Sequence, residues 1–244
     1  MTLGLPDGIT TCLFDLDGVL TDTAAVHRAA WKATFDPILA DHGQGEFTDD
    51  DYAQYVDGKP RLDGVRDFLA SRDIDVPEGD EGDADDQLTV NGIGNKKNDD
   101  VLARIKRDGV AVFDGSRRYL EAARDAGLKR IVVSSSANTK DVLAVTGLAD
   151  LVQGRVDGVT IKQTGMKGKP APDSFLAGAE LAGVPAAEAV VFEDATSGVE
   201  AGKRGGFGYV VGVNRYGDDH ATALEKHGAT TVVNDLGDLL GGNA

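Results

Sequence analysis

Apolar runs that end abruptly in polar groups set the rhythm of this chain. Thr10 to Phe14 runs into Asp15-Leu16-Asp17, Arg130-Ile131-Val132-Val133 into Ser134-Ser135-Ser136, and Ala189-Val190-Val191-Phe192 into Glu193-Asp194. Short continuous apolar runs of this kind are the pattern of strands buried on both faces. From Asp114 onward they alternate with helical stretches. Arg117 to Ala126 and Thr139 to Thr146 read as helices, Lys129 to Val133 as a strand, and Asp150 to Val152 as a short apolar element. Ser174 to Ala182 and a stretch opening at Gly198 to Gly202 continue the helices, while Tyr209 to Val213 and Thr230 to Val233 continue the strands. The alternation predicts an α/β fold, a doubly wound parallel sheet with helices on both faces, and Thr10 to Phe14 belongs to the same sheet.

Residues from about 23 to 107 break that rhythm, because they hold helical patterns and no long apolar strand. Ala24 to Phe35 places Val26, Ala29, Ala30 and Ala33 on one face, and Asp50 to Tyr55, Leu62 to Ala70 and Asn98 to Lys106 are further helices. The expectation is a small helical cap, 23–107, inserted into a core made of 1–22 and 108–244, with hinges near 21–23 and 106–111. Within it, Asp73 to Asp86 carries eight acids and no base and reads as a mobile solvated loop. Its spacing does not follow the Asp-x-Asp-x-Asp-Gly order of a calcium loop.

The 244 residues suffice for one large domain or two modest ones. With 41 acids against 25 bases the net charge is −16, which repels a nucleic-acid backbone and an anionic membrane surface, so neither is expected as a partner. No stretch approaches the roughly twenty apolar residues of a membrane span, and the start shows no basic segment followed by an apolar one; a cytoplasmic protein is the expectation. Cys12 is the only cysteine, which rules out an intrachain disulfide and a cysteine-based zinc site. Neither a Gly-x-x-x-x-Gly-Lys-Ser/Thr loop nor a dinucleotide fingerprint occurs.

In open parallel sheets ligands bind outside the carboxyl ends of the strands, so Asp15 and Asp17 emerge where chemistry is done, and Gly18 lets the chain turn sharply after them. Taken singly, each polar group has a plainer use. A serine in a serine run is commonly a turn or helix cap, Lys169 a solvated cation, and Glu193-Asp194 a cap for the helix that follows. Jointly, Asp15-x-Asp17, the serine run, Gly168-Lys169-Pro170-Ala171-Pro172-Asp173 and Glu193-Asp194 supply what phosphoryl transfer requires: a nucleophile, an acid/base, groups to hold phosphate oxygens, and acids to hold a cation.

In this order the four segments resemble the motifs of the haloacid dehalogenase superfamily, and nearly the whole chain is similar to its β-phosphoglucomutase-like branch. The resemblance implies an HAD-type core with an inserted helical cap. It makes Asp15 the nucleophile, forming an aspartyl-phosphate, and Asp17 the acid/base. Mg²⁺ would be held by Asp15, the backbone carbonyl of Asp17 and Asp194, with Glu193 beside the ion or just behind its ligands. Ser135 and Lys169 would hold phosphate oxygens, with Ser134 or Ser136 one register step away and Ser136 and Asn138 in the same loop. The Lys169-Pro170 bond would be cis. In the cap, the segment from Asp22 to Lys32 is similar to the branch's first cap helix, which makes Thr23, His27 and Trp31 substrate-side residues. Gly58 and Arg61 would clamp the distal phosphate of a bisphosphate, and Lys97 and Asn98 would contact sugar and phosphate. The function implied is a Mg²⁺-dependent phosphomutase, a monomer acting on a small sugar phosphate. It would convert β-D-glucose 1-phosphate to glucose 6-phosphate through β-glucose 1,6-bisphosphate. A phosphatase of the same fold, acting on a small sugar phosphate, is the alternative, because both would share the core residues.

Overall fold

The structure, a computed structural model, describes residues 2–241. After β1 (Thr11–Phe14) the chain forms α1 (Ala24–Asp41), then a short α2 (Asp49–Asp51) that runs into a π-helical turn at Tyr52–Val56, then α3 (Arg61–Ser71) and α4 (Val90–Asp108). It continues through α5 (Asp114–Asp125), β2 (Lys129–Val133), α6 (Thr139–Val145), β3 (Gly154–Val156), α7 (Gly158–Thr164) and α8 (Asp173–Ala182). Then come β4 (Ala189–Glu193), α9 (Thr196–Arg204), β5 (Tyr209–Val213), α10 (Asp218–His227) and β6 (Thr231–Val233). By contact the chain divides into two compact units, Thr23–Gly109 and the rest.

The larger unit is built on a six-stranded sheet of order β3-β2-β1-β4-β5-β6, parallel throughout. β1 lies at the centre. The chain first builds outward on one side of it through β2 and β3, then returns and builds outward on the other through β4 and β5, so the carboxyl end of β1 is the topological switch point. Every residue of β1 is buried, and the pleat sends alternate side chains to opposite layers. Leu13 joins Val133, Phe175, Val191 and Val199 in one core cluster. On the other side Phe14 stacks on Phe192 with ring centroids 4.6 Å apart, and Tyr119 of α5 meets both rings edge-on. α8 lies close against the sheet because Gly178 has no side chain; a Cβ there would come within 2.8 Å of Val133. Where the chain leaves and re-enters this unit, Asp22 N donates to Ala111 O at 3.0 Å and Phe113 N to Leu20 O at 3.1 Å.

The smaller unit is helical, around a core of Trp31, Phe35, Phe47, Val65, Phe68 and Ile93. α1 continues through Pro37 to Asp41, six residues beyond the expected end at Phe35. The ring removes only one backbone donor, and fully buried Leu39 holds the last turn on the core. α4 begins at Val90 rather than Asn98: Thr89 caps it, accepting from Gly92 N at 2.9 Å. The acidic stretch before it is pinned rather than loose. Asp83 accepts from Thr89 Oγ1 at 2.6 Å, and Asn91 and Asn95 of α4 donate to the carbonyls of Glu78, Glu81 and Asp83 at 2.9 to 3.1 Å.

In the larger unit the expected apolar element at Asp150 to Val152 is a 3-10 turn, Ala149–Leu151, and the strand lies at Gly154–Val156. This is an edge strand of three residues with Arg155 exposed at its centre, so its sequence carries no apolar run.

Candidate active site

The acids and the lysine converge at the carboxyl ends of β1, β2 and β4. Asp15 follows β1 directly, Ser134 follows β2, and Glu193 and Asp194 end β4 and continue from it. Register brings them level, because Phe14 pairs with Val132 on one side and Phe192 on the other. Gly18, at φ +80°, turns the chain back over the site; a Cβ there would lie 1.8 Å from Asp194 Oδ2, so only glycine lets the β1 and β4 loops approach this closely.

Lys169, preceding a cis bond to Pro170, lies at the centre of the acid cluster and is 2% exposed. Its ammonium donates to Asp15 Oδ1 and to Glu193 Oε1, each at 2.5 Å, and sits 4.7 Å from the centroid of the Phe175 ring. Glu193 Oε2 accepts from Ala195 N at 2.8 Å. Both oxygens of Glu193 are therefore engaged in aiming the lysine and the following turn. Burial would push the lysine down, but Asp15 and Glu193 outweigh it and hold the ammonium above its ordinary range. Burial pushes the Asp15 carboxyl well up, with Glu193 and Asp17 adding to the rise and Lys169 opposing it.

That imbalance bears on metal binding. Asp15, Glu193 and Asp194 are all buried, and each offers a carboxylate oxygen within 4.8 Å of the others. Lys169 bonds to two of the three, Asp15 and Glu193. An all-oxygen donor set of three acids around one ammonium suits a hard divalent cation. The Asp17 side chain stands outside this cluster, half-buried, and accepts from Ser134 Oγ at 3.2 Å. Its backbone carbonyl remains the group through which the resemblance would have it serve the cation.

The three serines differ in burial and in partner. Ser134 is fully buried and faces Asp17, while Ser135 and Ser136 are half-buried in the loop beyond it. Ser136 N donates to Ser134 Oγ at 3.1 Å and Asn138 N to Ser136 Oγ at 3.2 Å, so the loop folds back over the hydroxyl.

The smaller unit gathers a second group of the expected residues. Lys97 Nζ lies 2.8 Å from His27 Nδ1 and 4.7 Å from the centroid of the Trp31 ring, and it is 5% exposed. An ammonium has only donors, so Nδ1 accepts and the ring proton of His27 sits on Nε2. Thr23 is buried just before α1, its carbonyl accepting from His27 N at 2.9 Å, and Asn98 follows Lys97 on α4. Gly58 turns the chain at φ +69° ahead of α3. Arg61 opens that helix, half-buried, with Nη2 3.5 Å from Asn95 Oδ1; burial lowers its pKa, and Asp99 and Glu81 oppose the shift.

Two side chains that the motifs do not point to, Arg215 and His220, reach the backbone of the acid-bearing loops. Burial holds His220 below the ordinary imidazole range, against the hydrogen bond to Asp194 O and assisted by the charge of Arg215. Among the described residues no helix is long and apolar enough to cross a membrane.

The chain is 56% identical to a β-phosphoglucomutase of Mycobacterium tuberculosis, covering 98% of this chain and 94% of that one. It is 28% identical to hexitol phosphatase A of Escherichia coli, over 84% and 83% of the two chains. The crystal structure of a β-phosphoglucomutase from Clostridium difficile superposes with a TM-score of 0.76 at 24% identity, covering 95% and 93%, and shares the fold. Residues 9–206 match the haloacid dehalogenase-like hydrolase family, and the chain belongs to that family.

Proposed function

We infer that this enzyme is a Mg²⁺-dependent phosphomutase that converts β-D-glucose 1-phosphate to glucose 6-phosphate through β-glucose 1,6-bisphosphate. The observation that carries the reading is the convergence of Asp15, Lys169, Glu193 and Asp194 in one buried cluster, with Asp17 beside it under the Ser134 hydroxyl. The extent of similarity to β-phosphoglucomutase supports this substrate over other sugar phosphates.

Asp15 attacks phosphorus: a bond forms between its carboxylate oxygen and the phosphoryl group, and the bond from phosphorus to the sugar oxygen breaks. Asp17 delivers a proton to the leaving oxygen in one half of the cycle and removes one from the attacking hydroxyl in the other. Lys169 holds a non-transferred phosphate oxygen, its ammonium kept charged and aimed by Glu193. Ser134 orients Asp17 and stands at the edge of the same oxygen site. Asp15, Asp194 and the backbone carbonyl of Asp17 would hold Mg²⁺, which neutralises phosphate charge when bound. In the cap, Arg61 holds the distal phosphate of the bisphosphate while it reorients, and the group of Thr23, His27, Trp31, Lys97 and Asn98 contacts the sugar phosphate.

The similarity to hexitol phosphatase A favours a second reading, release of the phosphoryl group to water, which would use the same core residues. A paired assay separates the two. With Mg²⁺, β-glucose 1-phosphate and a trace of glucose 1,6-bisphosphate, glucose 6-phosphate and free phosphate are followed on one sample. Rapid glucose 6-phosphate formation with little phosphate release is the expected result. Phosphate release without glucose 6-phosphate would establish the phosphatase, and silence in both channels would overturn the choice of sugar.

A further inference from the structure

The segment 214–220, which leads from β5 into the first turn of α10, carries none of the motif residues, yet it grips the backbone of both loops that bear the acids. Arg215 Nε donates to Gly18 O at 2.6 Å and Nη1 donates to Asn234 O at 3.0 Å. The guanidinium lies 3.8 Å from the centroid of the Phe113 ring, which fixes its plane. Five residues on, His220 Nε2 is 2.9 Å from Asp194 O, and its Nδ1 is 3.2 Å from Arg215 N. A carbonyl oxygen only accepts, so Nε2 carries the proton that is donated to Asp194 O, while Nδ1 lies between Arg215 N and Asn214 Oδ1, the latter at 3.1 Å.

These two carbonyls are not arbitrary points on the loops. Gly18 O belongs to the peptide that follows the one between Asp17 and Gly18, and Asp194 O belongs to the residue whose carboxylate faces the site. Between them lies the contact in which Gly18 leaves no room for a side chain beside Asp194. One short segment therefore holds both loops next to their closest approach. Arginine suits the task because its planar fork serves two carbonyls in different directions, and Asp194, Asp235 and Asp22 supply the field that keeps it charged there.

We propose that Arg215 and His220 are positioning residues. By clamping Gly18 O and Asp194 O they set the spacing between the Asp17 backbone carbonyl and the Asp194 carboxylate, on which cation binding and phosphoryl transfer depend. The activity arm of this proposal rests on the phosphomutase reading; the metal arm does not.

The test compares Arg215→Ala, Arg215→Lys and His220→Ala with Arg117→Ala. Arg117 serves as the control because its Nη2 donates to a backbone carbonyl, that of Thr146, at 2.8 Å elsewhere in the same unit. Three quantities are read: Mn²⁺ affinity of the substrate-free protein by electron paramagnetic resonance, kcat and KM for β-glucose 1-phosphate at saturating Mg²⁺, and the thermal midpoint. Supports of a metal site typically change affinity or activity about 10- to 100-fold. Arg215→Ala and His220→Ala are expected to weaken Mn²⁺ by that order and to lower kcat with KM unchanged, well beyond Arg117→Ala at a matched loss of thermal midpoint. Arg215→Lys restores the loss only in part, because an ammonium replaces the fork with a point charge. Where an alanine variant does not fold, His220→Gln, which keeps a donor, and Arg215→Lys carry the comparison. Mn²⁺ affinity and kcat that fall no further than in Arg117→Ala overturn the proposal, as does a wild-type protein that binds no Mn²⁺. A wild-type protein that binds Mn²⁺ but turns over no glucose phosphate overturns the phosphomutase reading alone, and the metal arm then decides on Arg215 and His220.

Discussion

The Ser134 hydroxyl donates to Asp17 Oδ2 at 3.2 Å, across the carboxyl ends of two adjacent strands. The bond fixes the carboxylate that, in the proposed mechanism, exchanges a proton with the sugar oxygen, and the same hydroxyl accepts from Ser136 N at 3.1 Å, so its direction is set from both sides. Ser134→Ala is expected to lower kcat/KM by about tenfold to a hundredfold, less than the roughly hundredfold to ten-thousandfold of a proton-transfer group itself, because the hydroxyl orients Asp17 rather than moving the proton. Ser135→Ala is expected to leave it within about threefold, on the same scale. Steady-state kinetics on the two single variants checks this. Equal losses would mean that the loop as a whole, rather than the Ser134 hydroxyl, supports the site.

The run of three serines illustrates what a sequence can and cannot specify. A strand that ends in a polar group is legible because burial demands apolar residues up to the point where the chain emerges. For this reason β1, β2, β4 and β5 and the acids at their ends could be placed from pattern alone. Which serine turns inward depends on where β2 stops pairing, and identical neighbours hide that register. β3 carries no apolar run because an edge strand needs little burial. α7 and α10 show no apolar periodicity because each buries a single apolar side chain, Ile161 and Leu224. The start of α4 was obscured by Gly92 and Gly94, which are disfavoured in helices by propensity; a Cβ on Gly92 would come within 2.3 Å of Gln87 O. Arg215, on a loop, and His220, in the first turn of α10, act on backbone carbonyls distant in sequence, and no local spacing announces such contacts.

Lys169 offsets two buried carboxylates at once, and the consequences for stability are separable from catalysis. Removing one partner of a buried ionic group leaves the others uncompensated, at a cost of about 3–5 kcal/mol. Lys169→Met should therefore lower the urea-unfolding free energy by that order in the absence of metal. Adding Mg²⁺ should recover part of the loss, since a bound cation replaces the missing charge. The double variant Lys169→Met with Glu193→Gln should be more stable than Lys169→Met alone. A single variant as stable as the wild type without metal would show that the acids are already neutralised by protonation.

Asp157 caps α7 behind the serine loop. Its carboxylate accepts from Thr160 N at 2.9 Å and from Arg155 Nε at 2.7 Å, and Gly158 N, the next residue, donates to Ser136 O at 3.0 Å. Burial would raise its pKa, but the hydrogen bonds from Thr160 and Arg155 prevail and hold the carboxyl below the usual carboxylate range. A depressed folded-state pKa contributes stability that is fully present above the unfolded value, about 3.9 for Asp, and is lost as the pH falls through the folded value. Asp157→Asn keeps a capping oxygen but not the charge. The stability difference between wild type and Asp157→Asn should accordingly be constant from neutrality to about pH 5 and shrink toward zero below about pH 4. Urea titrations across that range check it; a difference that persists at low pH would assign the effect to cap geometry instead.

Asn95 joins the acidic loop to Arg61. Its amide nitrogen donates to Glu81 O at 3.1 Å and to Asp83 O at 2.9 Å, and because only the NH₂ end can satisfy two carbonyls, the amide oxygen is obliged to face Arg61 Nη2, 3.5 Å away. Gly94 supplies the room: a Cβ there would come within 2.7 Å of Leu62 and 3.4 Å of Arg61. If Arg61 clamps the distal phosphate, Asn95→Ala should act in two places. Amide exchange over 80–86 should rise, since the loop loses two of its ties to α4. KM for β-glucose 1,6-bisphosphate should rise about threefold to tenfold, the worth of roughly 0.5–1.5 kcal/mol for one hydrogen bond. Arg61→Ala should raise it further, while hydrolysis of a simple phosphate monoester, which has no distal phosphate, should change little in either variant. Faster exchange in the loop with an unchanged KM would separate the two effects and show that Arg61 holds its place without Asn95.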